Sequence, residues 1–181
     1  MKKIEKIVVH CSDSEWGTAF VINEWHKQRG WSRVGPDGIT RSIGYLGVIG
    51  NGRPFAGMDK PWYFSDGAWE WGRGLDDNAW LDPDETEAQT LGWNGRSVGF
   101  CLIGKPDKIT GMCNFTPSQL SKAKTICNEL ISRLGLKSSD VMGHKELQAG
   151  KVCPGMDMDV FRDYVAGIKD LGVMIDSLTG G

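Results

Sequence analysis

Two histidines and a cysteine stand where short apolar stretches end. His10 closes Ile7-Val8-Val9-His10, and His144 and Cys153 both lie in the run Gly143-His144-Lys145-Glu146-Leu147-Gln148-Ala149-Gly150-Lys151-Val152-Cys153-Pro154-Gly155. Imidazole and thiolate are ligand types that zinc prefers, and three protein ligands plus a water make a catalytic rather than a structural set. Such an ion lowers the pKa of water toward ~7, which suits hydrolysis of an amide. A structural metal would require a fourth protein ligand in a suitable context. Cys11 does not supply one, because strand alternation sends it to the face opposite His10.

Two further residues could assist a metal. Lys151, close before Cys153, could carry its ammonium into the same pocket and stabilise an oxyanion. Tyr45, between small residues in Ile43-Gly44-Tyr45, could orient water or relay a proton. Taken singly, each of these residues has a plainer reading: a structural histidine, a buried free cysteine, a solvated lysine, a half-buried strand tyrosine. It is the combination that points to a metal-dependent hydrolase. His26, in the middle of a helical stretch, reads as a packing or surface residue. Cys101 and Cys127 fall on apolar faces, and Cys113 sits in an uninformative loop.

The elements that must position these residues are legible in part. Ile4 to Cys11 reads as a buried strand, and Ser12-Asp13-Ser14 supplies turn residues. A helix over about 19–29 is expected to turn Phe20, Ile22, Trp25 and His26 toward the core before Gly30. Residues 43–49 form a glycine-interrupted strand, and Asn51-Gly52 predicts a hairpin whose return strand runs over 53–57. Ser97 to Gly104 suits a central strand. Thr116, Pro117 and Gln119 make a capping box that opens a helix to Leu134, its apolar face running from Leu120 through Ile131, with Gly135 as the stop. Val141-Met142 is a short strand that delivers His144 to a sheet edge. A last helix over 157–169 would pack Val160, Phe161, Tyr164, Val165 and Ile168. Strands alternating with helices predict an α/β fold: a single domain over residues 1–175, a central mixed β-sheet flanked by helices, and a flexible tail over 176–181.

Residues 58–95 break this rhythm. They show no sustained period, yet contain Trp62, Tyr63, Phe64, Trp69, Trp71, Trp80 and Trp93, with nine acidic residues against two basic ones. A long aromatic stretch of this kind reads as a folded insertion, not a disordered one. Two readings stand side by side. Trp69 and Trp71 line a substrate groove whose carboxylates meet an amine, or the tryptophans bury a small core of their own.

Composition narrows the classes. At 181 residues the chain can bury one sizeable core. It is 40% hydrophobic and 24% charged with a formal net charge of -2, which gives no support for direct nucleic-acid binding. Five cysteines without paired spacing, and an N-terminus lacking an apolar signal region, predict synthesis in a reducing cytoplasm without structural disulfides. No apolar run approaches the roughly 20 residues of a membrane span.

With these residues in hand, the chain resembles the zinc-dependent N-acetylmuramoyl-L-alanine amidases, the type 2 amidase and peptidoglycan recognition protein family. It is most similar to the short phage lysozymes (endolysins) of the amidase type. The matching pieces are Val8-Val9-His10-Cys11-Ser12, Trp25-His26-Lys27 to Gly30-Trp31, and Ile43-Gly44-Tyr45. They continue with 97–104, Asn114-Phe115-Thr116-Pro117-Ser118-Gln119-Leu120, and the run from Gly143 to Gly155. The resemblance implies one zinc ion on His10, His144 and Cys153, with water as fourth ligand and with Tyr45 and Lys151 as catalytic helpers. It implies cleavage of the amide between the lactyl group of N-acetylmuramic acid and the L-alanine of the peptidoglycan stem peptide. Binding-only relatives typically lack the cysteine ligand, so Cys153 favours catalysis.

The resemblance also implies release to the wall by a holin-like route after cytoplasmic synthesis. In some such phage lysozymes the domain inhibits the phage RNA polymerase, which leaves a recognition or inhibitory role as the alternative. Two departures stand out. Leu46 replaces the histidine that often follows Gly-Tyr, and the tryptophan-rich insertion replaces a short segment.

Overall fold

The computed structural model describes residues 2–54 and 65–179. Its strands are β1 (Lys2–Lys3), β2 (Lys6–Cys11), β3 (Arg33–Val34), β4 (Thr40–Arg41), β5 (Gly47–Ile49), β6 (Trp69–Trp71), β7 (Trp80–Leu81), β8 (Ser97–Leu102) and β9 (Val141–Gly143). Its helices are α1 (Ala19–Lys27), α2 (Pro117–Leu134), α3 (His144–Leu147), α4 (Met158–Val165) and α5 (Leu171–Thr179). The main sheet runs β6-β5-β8-β2-β9. β5, β8, β2 and β9 are parallel, and β6 closes one edge antiparallel. This is the α/β fold with a mixed sheet that the alternation of elements predicts.

Both faces of the sheet are covered, as parallel strands require. Ile7, Val9, Val98, Phe100 and Leu102 face a core shared with Leu120, Ala123, Cys127, Leu130, Phe161 and Met174 from α2, α4 and α5. On the other face Val48 and Cys101 meet Ala19 and Ile22 of α1. The period-2 rule thus sends Val9 and Cys11 toward α2 and α4, and Val8 and His10 toward the α1 side.

Helix α2 forms for the reasons its sequence offers. Thr116 Oγ1 accepts from Gln119 N (3.1 Å) while Gln119 Oε1 accepts from Thr116 N (3.1 Å), and Gly135 ends the helix in the left-handed conformation. Gln119 is also buried, and its Nε2 donates to the carbonyls of Ile49 and Ile103, which pins the helix start to the ends of β5 and β8.

Several expectations need correction. Phe20 is exposed, because Thr18 caps α1 and the inward stripe of the helix is Ala19, Ile22 and His26. The stretch 43–49 is a strand only over Gly47–Ile49. The partner of β5 is β6, from within the insertion, rather than a strand at 53–57; Arg53 and Pro54 are not in a strand, and 55–57 lie outside the described residues. The last predicted helix ends at Val165, leaving Ile168 exposed in a turn. A further helix, α5, then continues to Thr179, through the stretch expected to be a flexible tail. It is held there by Met174, which is fully buried against α4 and α2. Residues 180–181 lie outside the described residues.

The insertion is partly built into the sheet. Its start, 58–64, with Trp62, Tyr63 and Phe64, lies outside the described residues. The rest supplies β6 and β7, the latter pairing with β1 at the N-terminus. Glu70 Oε2, on the α1 side of β6, accepts from Ala19 N at the start of α1 (3.0 Å).

Candidate active site

The C-terminal ends of parallel strands are where α/β folds open clefts. β2 ends at His10 and Cys11, and β9 delivers His144 as the first residue of α3. The junction after β9 is braced. Glu146 Oε2 accepts from Gly143 N (2.7 Å), and Arg162 of α4 grips the same carboxylate (3.0 Å) and the carbonyl of Val141 (3.0 Å). The 153 loop is tied back by Lys145 N donating to the carbonyl of Cys153 (2.8 Å) and Lys145 Nζ donating to that of Met156 (2.7 Å).

These ties bring His10, His144 and Cys153 together, with one ligand atom from each within 4.8 Å of the others. His10 Nδ1 lies 3.6 Å from Cys153 Sγ, and the two imidazole rings are 4.7 Å apart. Cys153 Sγ also accepts from Cys11 N (3.1 Å). Among the described residues one other cluster has metal-ligand types, Asp76, Asp82 and Glu85 in the loop around β7, where backbone amides of Asp76 and Asp82 already occupy Glu85.

The electrostatics suit a cation. Burial, with the neighbouring His144, pushes the His10 pKa down to about 3, and burial lowers that of His144. Both rings are therefore neutral near pH 7 and have lone pairs to give. The adjacent Cys11 thiol and burial raise the Cys153 thiol well above its usual range, so a metal would displace its proton on binding. Two neutral imidazoles and a displaceable thiol proton fit a zinc ion.

Each imidazole is also held from behind. His10 Nε2 lies 2.6 Å from Gln89 Oε1, and His144 Nε2 lies 2.9 Å from Gln148 Oε1. Neither glutamine is among the residues to which the sequence pattern alone points. Gln148 sits four residues after His144, just past the end of the short helix α3, a spacing that could have revealed it. Gln89 lies in the aperiodic insertion, where no such signal exists.

The cluster floors a cleft of about 1120 Å³. Trp25, His26, Arg29 and Trp31 make one wall, Ala88–Leu91 and Asn94 a second, and 106–111 a third. Tyr45 lies on the floor, its ring 5.0 Å from His10 and 5.3 Å from His26. Burial raises its phenol well above the usual range, so the hydroxyl keeps its proton. Lys151 is exposed on the rim beside Val152. His26 is buried, accepts from Gly44 N on Nδ1 (2.9 Å), and is pushed down to about 4 by burial and then by the charges of Arg29 and Arg73.

Trp69 and Trp71 are not brought to this cleft. Trp69 packs against Phe100 in the core, and Trp71, stacked edge-on against Trp69, is exposed on the sheet edge. Among its described residues the insertion reaches the cleft through Ala88–Leu91 and Asn94, and none of these is a carboxylate. Leu46 is buried in the core, facing away from the site.

Two imidazoles and a thiol at the floor of an open cleft in an α/β domain form a group that could hold a metal ion. Comparison with known proteins gives the class its name. The family profile for N-acetylmuramoyl-L-alanine amidase matches residues 1–156, and the chain belongs to that family. The endolysin of Klebsiella phage KP32 is 30% identical over 162 residues, 87% of this chain and 84% of that one. Among solved structures, the amidase LysC from Clostridium intestinale superposes with a TM-score of 0.61 at 22% identity, covering 92% of this chain and 86% of its own. Drosophila PGRP-LB superposes at 0.54 and 22% identity, covering 86% and 76%. These last two likenesses establish the fold.

Proposed function

We propose that this protein is a zinc-dependent endolysin that hydrolyses the amide between N-acetylmuramic acid and the L-alanine of the stem peptide during lysis of a phage-infected host. The meeting of His10, His144 and Cys153 at the floor of one cleft carries this reading, with Tyr45 against His10 and Lys151 above. Zinc held there would supply a Lewis acid that makes water nucleophilic near neutral pH and polarises a carbonyl.

The side chains divide the remaining work. His10 and His144, neutral near pH 7, would offer lone pairs to the ion, and Cys153 would be its anionic ligand once the thiol proton has passed to solvent. Lys151 places a positive charge at the rim, where it can stabilise negative charge growing on the scissile carbonyl oxygen. Tyr45 stays protonated and donates a hydrogen bond to the reacting group. The indole and imidazole surfaces of Trp25, His26 and Trp31 offer apolar faces to sugar or peptide. Among the described residues no helix is long and apolar enough to cross a membrane. Access to the wall, as the resemblance to phage endolysins implies, would come after cytoplasmic synthesis, through a holin-type opening.

Chelation tests the metal requirement. Removing zinc should abolish release of free L-alanine amino termini from purified peptidoglycan, and stoichiometric zinc should restore it. Undiminished release from demonstrably zinc-free protein would remove the metal from the mechanism.

A further inference from the structure

An imidazole can offer a metal only the nitrogen that carries no hydrogen, so a ligand histidine must be held in one tautomer. For His10 the choice is written into a buried chain of hydrogen bonds that starts on β8. Ser97 Oγ donates to the carbonyl of Trp93 (2.9 Å), which leaves its oxygen free to accept. Gln89 Nε2 donates to that oxygen (2.7 Å). The carboxamide is thereby oriented, and its Oε1 faces His10 Nε2 at 2.6 Å while also accepting from Thr90 Oγ1 (2.6 Å). A carboxamide oxygen has no hydrogen to give, so His10 Nε2 carries the proton and Nδ1, beside Cys153 Sγ, is the bare nitrogen. Flipping the amide would turn the Ser97 hydroxyl toward Gln89, leave the Trp93 carbonyl without it, and put the imidazole hydrogen on Nδ1, facing the thiol.

The surroundings over-determine this geometry. Ser97, Thr90, Gln89 and His10 are all buried, and a buried polar group that loses its partner leaves its desolvation cost uncompensated. Asn94 Oδ1 accepts from the backbone N–H of both Gln89 (2.9 Å) and Thr90 (2.7 Å). Glu87 Oε2 accepts from Gly99 N (2.7 Å), seating the segment on β8. A Cβ at Gly99 would lie 3.0 Å from both Cδ and Oε1 of Gln89, so a glycine on the central strand makes room for the carboxamide.

We propose that Gln89 is a positioning residue for His10, fixing its ring as the Nε2–H tautomer so that Nδ1 is presented to the metal; the proposal rests on the zinc reading of the site. It also gives the tryptophan-rich insertion a task, that of holding a ligand from behind. Partners of this kind typically change metal affinity ~10–100-fold when removed.

The test uses the full chain with its three histidines labelled with 15N. In metal-free wild-type protein at neutral pH, the His10 ring should show its proton on Nε2 and a bare Nδ1; a proton on Nδ1 overturns the proposal. Gln89→Met keeps the volume but removes the acceptor, and should weaken zinc binding in competition titrations by ~10–100-fold and release the ring to a mixture of tautomers. Gln89→Glu keeps an acceptor and should restore most of the affinity. Wild-type affinity in Gln89→Met would overturn the proposal. Should wild-type protein itself take up no zinc, the metal reading fails, and the tautomer spectrum still decides whether Gln89 holds the ring.

Discussion

His26 shows how one residue of the Trp-His-Lys motif acts through burial without touching the metal. Its Nδ1 accepts from Gly44 N, its ring packs on Trp31 and Tyr45, and its pKa is pushed down to about 4. The unfolded chain binds a proton on this residue near pH 6.5, whereas the folded state resists it until about 4. The contribution of neutral His26 is therefore fully present above pH 6.5 and is lost as pH falls through the window down to about 4. It amounts to at most ~3 kcal/mol at 1.36 kcal/mol per pKa unit. Denaturant unfolding of the metal-free protein across pH 7 to 4 should show this loss in the wild type and a shallower slope in His26→Gln. Equal slopes would mean that His26 does not carry the effect. At this scale the sequence is most informative about His10, His144 and Cys153, because ligand types are visible without structure. It is least informative about Gln89, since an amide that acts only through its orientation has no distinctive spacing.

Elements were legible where local chemistry decides them and illegible where tertiary pairing does. Helix α2 follows from Thr116, Pro117, Gln119 and a seven-residue apolar face, all local signals. β6 is only Trp-Glu-Trp, and its register opposite β5 is fixed by the sheet it joins. α5 is the exception: Leu171, Met174, Ile175 and Leu178 hold the i, i+3, i+4, i+7 period and pack on the core, a local signal in a stretch that otherwise reads as a frayed terminus.

The close approach of the insertion to the floor of the cleft depends on a second glycine besides Gly99. A Cβ at Gly44 would lie 2.3 Å from the carbonyl oxygen of Ala88, a backbone atom that cannot turn aside. Gly44→Ala should therefore lower stability by ~1–3 kcal/mol, read as a reduced urea midpoint, because the segment that carries Gln89 must move off the sheet. An unchanged midpoint would show that this segment is not pressed against the stretch that carries Tyr45 into β5.

On the scale of the whole molecule, the sheet and its two covered faces act as a rigid base, and the cleft opens where β2 and β9 end. Arg29, Lys108 and Lys151 stand against Asp13 and Asp107 on its walls, so the cleft is biased toward positive charge. That balance favours a substrate bearing carboxylates, as peptidoglycan stem peptides do, and among the described residues no acidic side chain of the insertion lines the cleft to meet an amine. The central claim is that this arrangement cuts the lactyl–alanine amide and does so through the cysteine. The most direct measurement is mass spectrometry of purified peptidoglycan digested by zinc-loaded wild type and by Cys153→Ser. The account predicts stem peptides with free L-alanine amino termini and intact glycan strands from the wild type, and a loss of that product of at least ~100-fold in the variant, consistent with removal of a metal ligand. Cleavage within the glycan, or equal amide cleavage by Cys153→Ser, would contradict it.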